Sequence, residues 1–277
     1  MKFSCMILAA FMALPFAAEA RSAELELWRL DCGQIEVRDL SFFSDSLSYR
    51  GQHRNLTDSC YLIRHDAQYM LWDTGLPAAL IGAKPDAKAV VAPSLKVDIV
   101  DQLARIGVKP DQIAYVGISH THFDHAGQAA AFANAVLLIG QADFDALKLP
   151  PPPFGVEPKL LAPWLEGKAK AEPVSGDHDV FGDGSVVMLK MPGHTPGEMS
   201  LLVKLKQTGP VVLSGDVVHF HEQLANRGVP AFNWDRAESL ASMDRLTAIV
   251  ANLHARLIIQ HDETHVALLP IFPKSAR

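Results

Sequence analysis

The stretch GISHTHFDHAG, residues 117–127, places three histidines and an aspartate within six positions, directly behind the apolar run Ile113–Ile118. A short apolar run of this kind reads as a buried strand. Imidazoles and carboxylates at its end must have partners, because buried polar groups left alone are costly. On an extended backbone alternate residues share a direction. His120, His122 and Asp124 therefore point one way, and His125 departs from them as a helix begins. That geometry sends one pair of ligands toward one ion and the other pair toward a second. Neutral imidazoles with a carboxylate suit Zn²⁺ and similar first-row ions.

Four ligands from one loop cannot complete two coordination shells, so partners must come from elsewhere. MPGHTPG offers His194 in a Gly/Pro turn after the strand-like VVMLK. VVLSGD places Asp216 after an apolar run, and LIIQHD does the same for His261. Each lies where a strand ends, as His120 does. Converging strand ends would assemble one site, the arrangement α/β folds favour for ligands.

Short alternating or apolar runs (ELELWRL, IEVRDL, CYLIRH, QYMLWDTG) make the N-terminal third β-rich. Residues 41–58 read as a polar loop. Residues 94–108 follow a helical period, with Ser94 as cap and Gly107 as stop. A helix is expected within 126–135 and another over 141–149. The four prolines opening 150–167 suggest a surface insertion. Strands resume at SVVMLK, SLLVKL and PVVLSGD, and residues 235–255 form a long amphipathic helix before a last strand, RLIIQH. Strand blocks followed by helices predict an α/β sandwich of two sheets with outer helices, in one domain over 21–277.

Residues 1–20 combine Lys2, an apolar stretch and a small-residue AEA, the three parts of an export signal. Export, to the periplasm or the medium, is the expected localisation. Cys5 would leave with the signal. Cys32 and Cys60 would remain as a disulfide or as two buried thiols, and spacing does not choose between them. A net charge of −6 without a long basic run excludes the electrostatic footprint of nucleic-acid binding. His53, His65, His178, His254 and His265 read as solvated, whereas His219 and His221 follow Asp216 closely.

HTHFDH at 120–125, His194, Asp216, His261 and the WDTG at 72–75 together resemble the metallo-β-lactamase superfamily and its αββα sandwich. The resemblance spans roughly Leu27 to Pro273. It implies two divalent ions, most readily Zn²⁺ with Co, Mn or Fe as alternatives. His120, His122 and His194 would hold one ion, Asp124, His125 and His261 the other, with Asp216 bridging. Asp73 would orient a ligating histidine.

Within the superfamily, SGDVVHFHEQLANRGVPAFNWDRAESL is similar to the N-acyl homoserine lactonases, as are LDCGQIEV and MLWDTG. That resemblance implies opening of a lactone ring by a metal-bridging hydroxide, with Asp124 returning a proton to the departing alkoxide. His219 departs from the tyrosine many of these enzymes carry three residues after the bridging aspartate; an imidazole can donate the same hydrogen bond to the substrate carbonyl. Phe42, Phe43, Phe154, Trp164, Phe220 and Trp234 are candidates to line a groove for an apolar tail, or to cover a homodimer interface. An organophosphate triesterase similar to methyl parathion hydrolase is the alternative enzyme, followed by another esterase or a thioesterase of the same fold, such as glyoxalase II. A non-catalytic zinc-binding protein is the alternative outside enzymes.

Overall fold

The computed structural model describes residues 23–277, so the expected export signal lies outside the described residues. Twelve strands follow in chain order. They are β1 (Leu25–Val37), β2 (Arg54–His65), β3 (Gln68–Trp72), β4 (Val91–Ser94), β5 (Ile113–Ile118), β6 (Val136–Gly140), β7 (Ala171–Val174), β8 (His178–Asp179), β9 (Val186–Lys190), β10 (Met199–Leu205), β11 (Gly209–Leu213) and β12 (Arg256–Ile258). The helices are α1 (Ile99–Ala104), α2 (Phe123–Ala126), α3 (Gln141–Ala146), α4 (Ala162–Leu165), α5 (Glu222–Asn226), α6 (Arg236–Leu253) and α7 (Glu263–Val266). No helix among the described residues is long and apolar enough to cross a membrane.

Seven strands form one sheet in the order β4-β1-β2-β3-β5-β6-β7, and five form the other, β12-β11-β10-β9-β8. β3, β5, β6 and β7 run parallel, and the central β5 and β6 are largely buried, which explains their apolar runs, whereas the edge strand β7 is only half-buried. Tyr61, Met70, Trp72 and Leu138 from the first sheet meet Met188, Leu201, Val203 and Leu213 from the second between the layers. The outer face of the first sheet packs on Leu103 of α1 and Trp164 of α4. The second sheet is covered by Met243 and Leu246 of α6. Helix, sheet, sheet, helix is the αββα sandwich that the sequence resemblance implied. Each fully buried side chain of Leu or Met size contributes about 2 kcal/mol of hydrophobic stabilisation.

Several local expectations shift. The helix expected over 94–108 shortens to α1, because Leu95 joins a different cluster beside Leu76 and Phe220. Ser94 closes β4, and Asp98 caps the helix by accepting from the Asp101 amide at 2.7 Å. The expected helix in 126–135 breaks into the end of α2 and a 3₁₀ turn, Ala129–Phe132. Gly127 between them lies so close to Gly75 and Pro77 that a Cβ would sit 2.3 Å from backbone atoms of both. The loop at 41–58 ends early, as β2 begins at Arg54. Residues 150–167 are no mere surface insertion, since Trp164 is buried and its Nε1 donates to the Ala135 carbonyl at 3.1 Å. Of the histidines read as solvated, His53 and His254 are exposed. His65 instead stacks on Phe181 at 4.1 Å.

Cys32 and Cys60 form a disulfide across neighbouring strands β1 and β2, with Cα atoms 5.8 Å apart. It sits beside a bulge in β1 between Asp31 and Gly33. The cross-link spans a sequence separation of 28 residues and so restricts the unfolded chain substantially. Replacing both cysteines with alanine is expected to lower unfolding free energy by roughly 3 kcal/mol, read from urea denaturation under non-reducing conditions.

Candidate metal centre

The strand ends of both sheets meet at one point. Asp73 follows β3, the 120–125 segment follows β5, His194 lies in the turn after β9, Asp216 follows β11 and His261 follows β12. His120, His122, His125, His194, Asp216 and His261 are all buried there. Asp73 adopts a left-handed backbone with φ of 58°, which is costly for a residue with a side chain and persists only where surroundings dictate it. Its Oδ1 accepts from the Ser119 amide at 2.6 Å. Its Oδ2 lies 3.0 Å from His125 Nδ1 and accepts from Gln260 Nε2 at 2.7 Å. One carboxylate thus joins β3, the histidine loop and the end of β12, and it holds the His125 ring.

The other rings are oriented by the same device. His261 Nδ1 donates to the Thr57 carbonyl at 2.8 Å, and His194 Nδ1 donates to Asn233 Oδ1 at 2.8 Å. His120 Nδ1 lies 3.1 Å from Ser119 Oγ and 3.3 Å from Glu198 Oε2. Tying down one nitrogen fixes the ring and aims the other inward, as metal-binding histidines require.

Asp216 faces two groups at once. Its Oδ2 lies 3.6 Å from His120 Nε2 and 3.5 Å from His194 Nε2. Its Oδ1 lies 3.4 Å from His125 Nε2 and 3.1 Å from His261 Nε2. His122 Nδ1 approaches His194 Nε2 to 3.0 Å, and His125 Nε2 approaches His261 Nε2 to 3.2 Å. Asp124 Oδ2 stands 3.8 Å from His261 Nε2. Ligands held at 2.0–2.1 Å around a tetrahedral ion are separated by roughly 3.3 Å, so these spacings match a shared cation. His120 Nε2 and Asp216 Oδ1 are buried without a hydrogen-bond partner, an arrangement that a metal ion satisfies. The residues present therefore fit a dinuclear centre. His219 joins the cluster as well, with Nε2 3.1 Å from Asp216 Oδ2.

Charge is distributed unevenly among these groups. Burial drives the His120, His122 and His194 imidazoles below their ordinary range, toward the neutral form a metal needs. Burial also opposes charge on His125 and His261, but the Asp216 carboxylate outweighs it. His125, also beside Asp73, is held well above its usual range, and His261 is raised to about 9. Asp216 is held well below the usual carboxylate range, because four imidazoles outweigh its burial. Burial and the adjacent Asp216 charge push Glu198 well up, while its Oε1 accepts from the Asp216 amide at 2.8 Å.

Sequence reasoning missed these supporting groups. Gln260 accepts from the Gly215 amide at 3.0 Å and from Trp72 Nε1 at 3.3 Å, besides donating to Asp73. Asp143 accepts from Thr195 Oγ1 at 2.8 Å and the Gly197 amide at 2.6 Å, bracing the His194 turn, and burial lifts its carboxyl to about 6. Only the adjacency of Gln260 to His261, and of Glu198 to the His194 turn, offered any signal. Asn233 and Asp143 offered none.

The centre opens into a cavity of about 720 Å³. Phe42, Phe43 and Phe154 line it with His219 and Asp124. Phe43 sets its ring edge-on to His219 at 4.9 Å. The other three aromatic candidates do not line the cavity. Trp164 belongs to the core beneath the first sheet. Phe220 is fully buried against Tyr49 and beneath Arg54. Trp234 is exposed outside the cavity, and only its backbone approaches the centre, donating to the His194 carbonyl at 3.0 Å. In their place Phe232, Ile35, Val37, Leu56 and Val91 complete the apolar wall.

Metal ions and protons compete for the imidazole lone pairs of the centre. With its pKa raised from 6.5 to about 9, His261 pairs with Asp216 fully below pH 6.5. That stabilisation is lost as the pH rises through about 9. Zinc and the proton compete for the same lone pair, so loading at pH 7 should release protons and affinity should rise toward pH 9. Calorimetric zinc titrations in buffers of different ionisation enthalpy would give diverging heats; identical heats would contradict this charge assignment.

The chain matches the family model described as Metallo-beta-lactamase superfamily over residues 55–261. It is 29% identical over 231 residues to an N-acyl homoserine lactonase of Bacillus sp, covering 81% of this chain and 88% of that protein. An N-acyl homoserine lactonase AttM of Azorhizobium caulinodans is 26% identical over 166 residues, 59% of this chain and 63% of that one. Among solved structures, an N-acyl homoserine lactone hydrolase with N-hexanoyl-L-homoserine bound at its catalytic metal center superposes with a TM-score of 0.79 at 26% identity. That match covers 92% of this chain and 100% of the other.

Proposed function

The chain belongs to the metallo-β-lactamase superfamily as a metal-dependent hydrolase, and on that premise we propose that it opens the lactone ring of N-acyl homoserine lactones. The observation that carries this reading is the junction of the buried His/Asp cluster with an apolar cavity. A polar lactone head at the cluster would leave its acyl tail along Val37, Leu56 and Val91. The lactonase relatives support the same reading.

His120, His122 and His194 would hold one ion and Asp124, His125 and His261 the other, with Asp216 serving both. Two bound ions would supply a nucleophile at neutral pH and stabilise the charge that develops on the opening ring. Zinc is the ion we assign, on the imidazole-rich donor set. His219, at the cavity wall, donates a hydrogen bond to the lactone carbonyl oxygen as it gains negative charge. Asp124, also on that wall, would accept the proton released by the attacking water and return it to the departing ring oxygen. Phe42, Phe43 and Phe154 exclude water from the head group and guide the tail. The Cys32–Cys60 disulfide supports an oxidising location, in keeping with export of a one-domain mature chain, residues 21–277.

A pH-drop assay of the zinc-loaded protein tests the reading, with N-decanoyl homoserine lactone, a simple γ-lactone and paraoxon at equal concentration. The acyl homoserine lactone should react at least about tenfold faster than either, worth about 1.4 kcal/mol at the transition state. Paraoxon fastest would favour the phosphotriesterase alternative instead. His219→Phe should lower kcat roughly a hundredfold with bound zinc unchanged, and His219→Tyr should restore most of it. Zinc lost together with activity would make His219 a ligand and not a donor to substrate. Asp124→Asn should cost at least about a hundredfold in kcat; unchanged turnover would remove it from the proton transfer.

A further inference from the structure

A second group of metal-seeking side chains lies outside the centre. His221, Asp262 and His265 each place one donor atom so that all three fall within 4.8 Å of one another. His221 precedes α5, whereas Asp262 precedes α7 and His265 lies within it. Asp262 Oδ1 is committed to the first turn of α7, accepting from the Thr264 amide at 2.9 Å, from Thr264 Oγ1 at 2.5 Å and from the His265 amide at 3.3 Å. Its Oδ2 turns the other way and accepts from His221, at 3.0 Å from the amide and 2.6 Å from Nδ1. His265 Nδ1 donates to the Leu257 carbonyl at 3.0 Å, which sets its tautomer and leaves Nε2 as the available donor atom. The two rings lie parallel, 8° apart with centroids 6.0 Å from each other.

We propose that His221, Asp262 and His265 form a third metal site that takes one divalent first-row ion and clamps α5 to α7. A carboxylate–imidazole hydrogen bond needs only His221 and Asp262; the second imidazole, already oriented through its other nitrogen, is what a coordination site adds. Two imidazoles and a carboxylate are the donors that zinc, nickel and copper prefer. The His221 side chain is 50% exposed, so its ring can turn to close the spacing, while the Asp262 carboxylate at 5% gives the site a fixed wall. The open side leaves room for water as a fourth ligand. Arg54, within electrostatic reach of Asp262, makes no ion pair with it among the described residues, because Glu222 holds its guanidinium two-pronged at 2.7 and 2.9 Å. The clamp joins the segments that carry His219 and His261, so an ion here stiffens the rim of the main centre without touching it.

Equilibrium dialysis of the zinc-loaded protein against micromolar free Zn²⁺, with bound zinc counted by atomic emission, tests the assignment. Wild type should hold one equivalent more than His221→Asn and than His265→Gln, whatever number the main centre retains. Micromolar Zn²⁺ should also raise the Tm of zinc-loaded wild type by several degrees and leave both variants unmoved. His221→Asn alters a half-exposed ring, so its zinc count reads the site independently of folding. Equal zinc in wild type and both variants overturns the proposal.

Discussion

Asp216 is a buried carboxylate whose two oxygens face different sets of imidazoles, and much of the architecture answers to that position. Gathering this many ionisable rings away from water is unfavourable unless cations or protons fill the space between them. The spacing must also be held against the rings' tendency to move apart. The fold achieves this by anchoring His125 to Asp73, His194 to Asn233 and His261 to the Thr57 carbonyl. None of these anchors lies on the same strand as the ring it holds. The Thr57–His261 bond also crosses from the first sheet to the second, so the stacking of the sheets aims that ring.

That dependence explains what could be read from the sequence. The candidate ligands could be picked out because each sits at the end of an apolar run, and local alternation suggests which way a side chain points. The layers were legible because blocks of strands followed by helical stretches indicate two sheets with helices outside them. Gln260, Glu198, Asn233 and Asp143 were not legible as supports. Their roles depend on which strand lies beside which, a relation that adjacency to a ligand only hints at for Gln260 and Glu198 and that has no local signal for Asn233 and Asp143. Asp143 makes the point well. It sits within an ordinary helix, yet its carboxylate holds the turn that presents His194, more than fifty positions away.

The aromatic candidates divided for a different reason. Phe42, Phe43 and Phe154 reached the cavity, whereas Phe220, next to His219, did not. After a ligand-bearing strand end, neighbouring side chains leave in opposite directions, so when His219 faces the cluster Phe220 must face the opposite side. There it packs against Tyr49 beneath the Arg54 guanidinium. Alternation, the argument that set His120 and His122 on one side, excludes Phe220 from the cavity when applied six strands later. Trp164 misled through composition, because a proline-rich segment need not be a surface one. Its 3₁₀ turn and α4 instead close the core beneath the first sheet.

Division of labour between the walls of the cavity follows from these constraints. The wall carrying the histidines is set by strand ends and buried hydrogen bonds, and a change there disturbs several rings together. The opposite wall is built from Ile35 and Val37 of β1, Leu56 of β2 and Val91 of β4, with Phe42 and Phe154 contributed by connections. The long β1–β2 pair supplies a rigid apolar floor, and the cross-link between Cys32 and Cys60 lies within that same pair. Phe154 is 74% exposed and Phe42 48%, so neither is fixed by the core. A rigid reacting end joined to a partly adjustable apolar end suits substrates that share a head group and differ in their tails. The chemistry would then be set by the strand ends, and the preference among tails by side chains that the fold leaves free to vary.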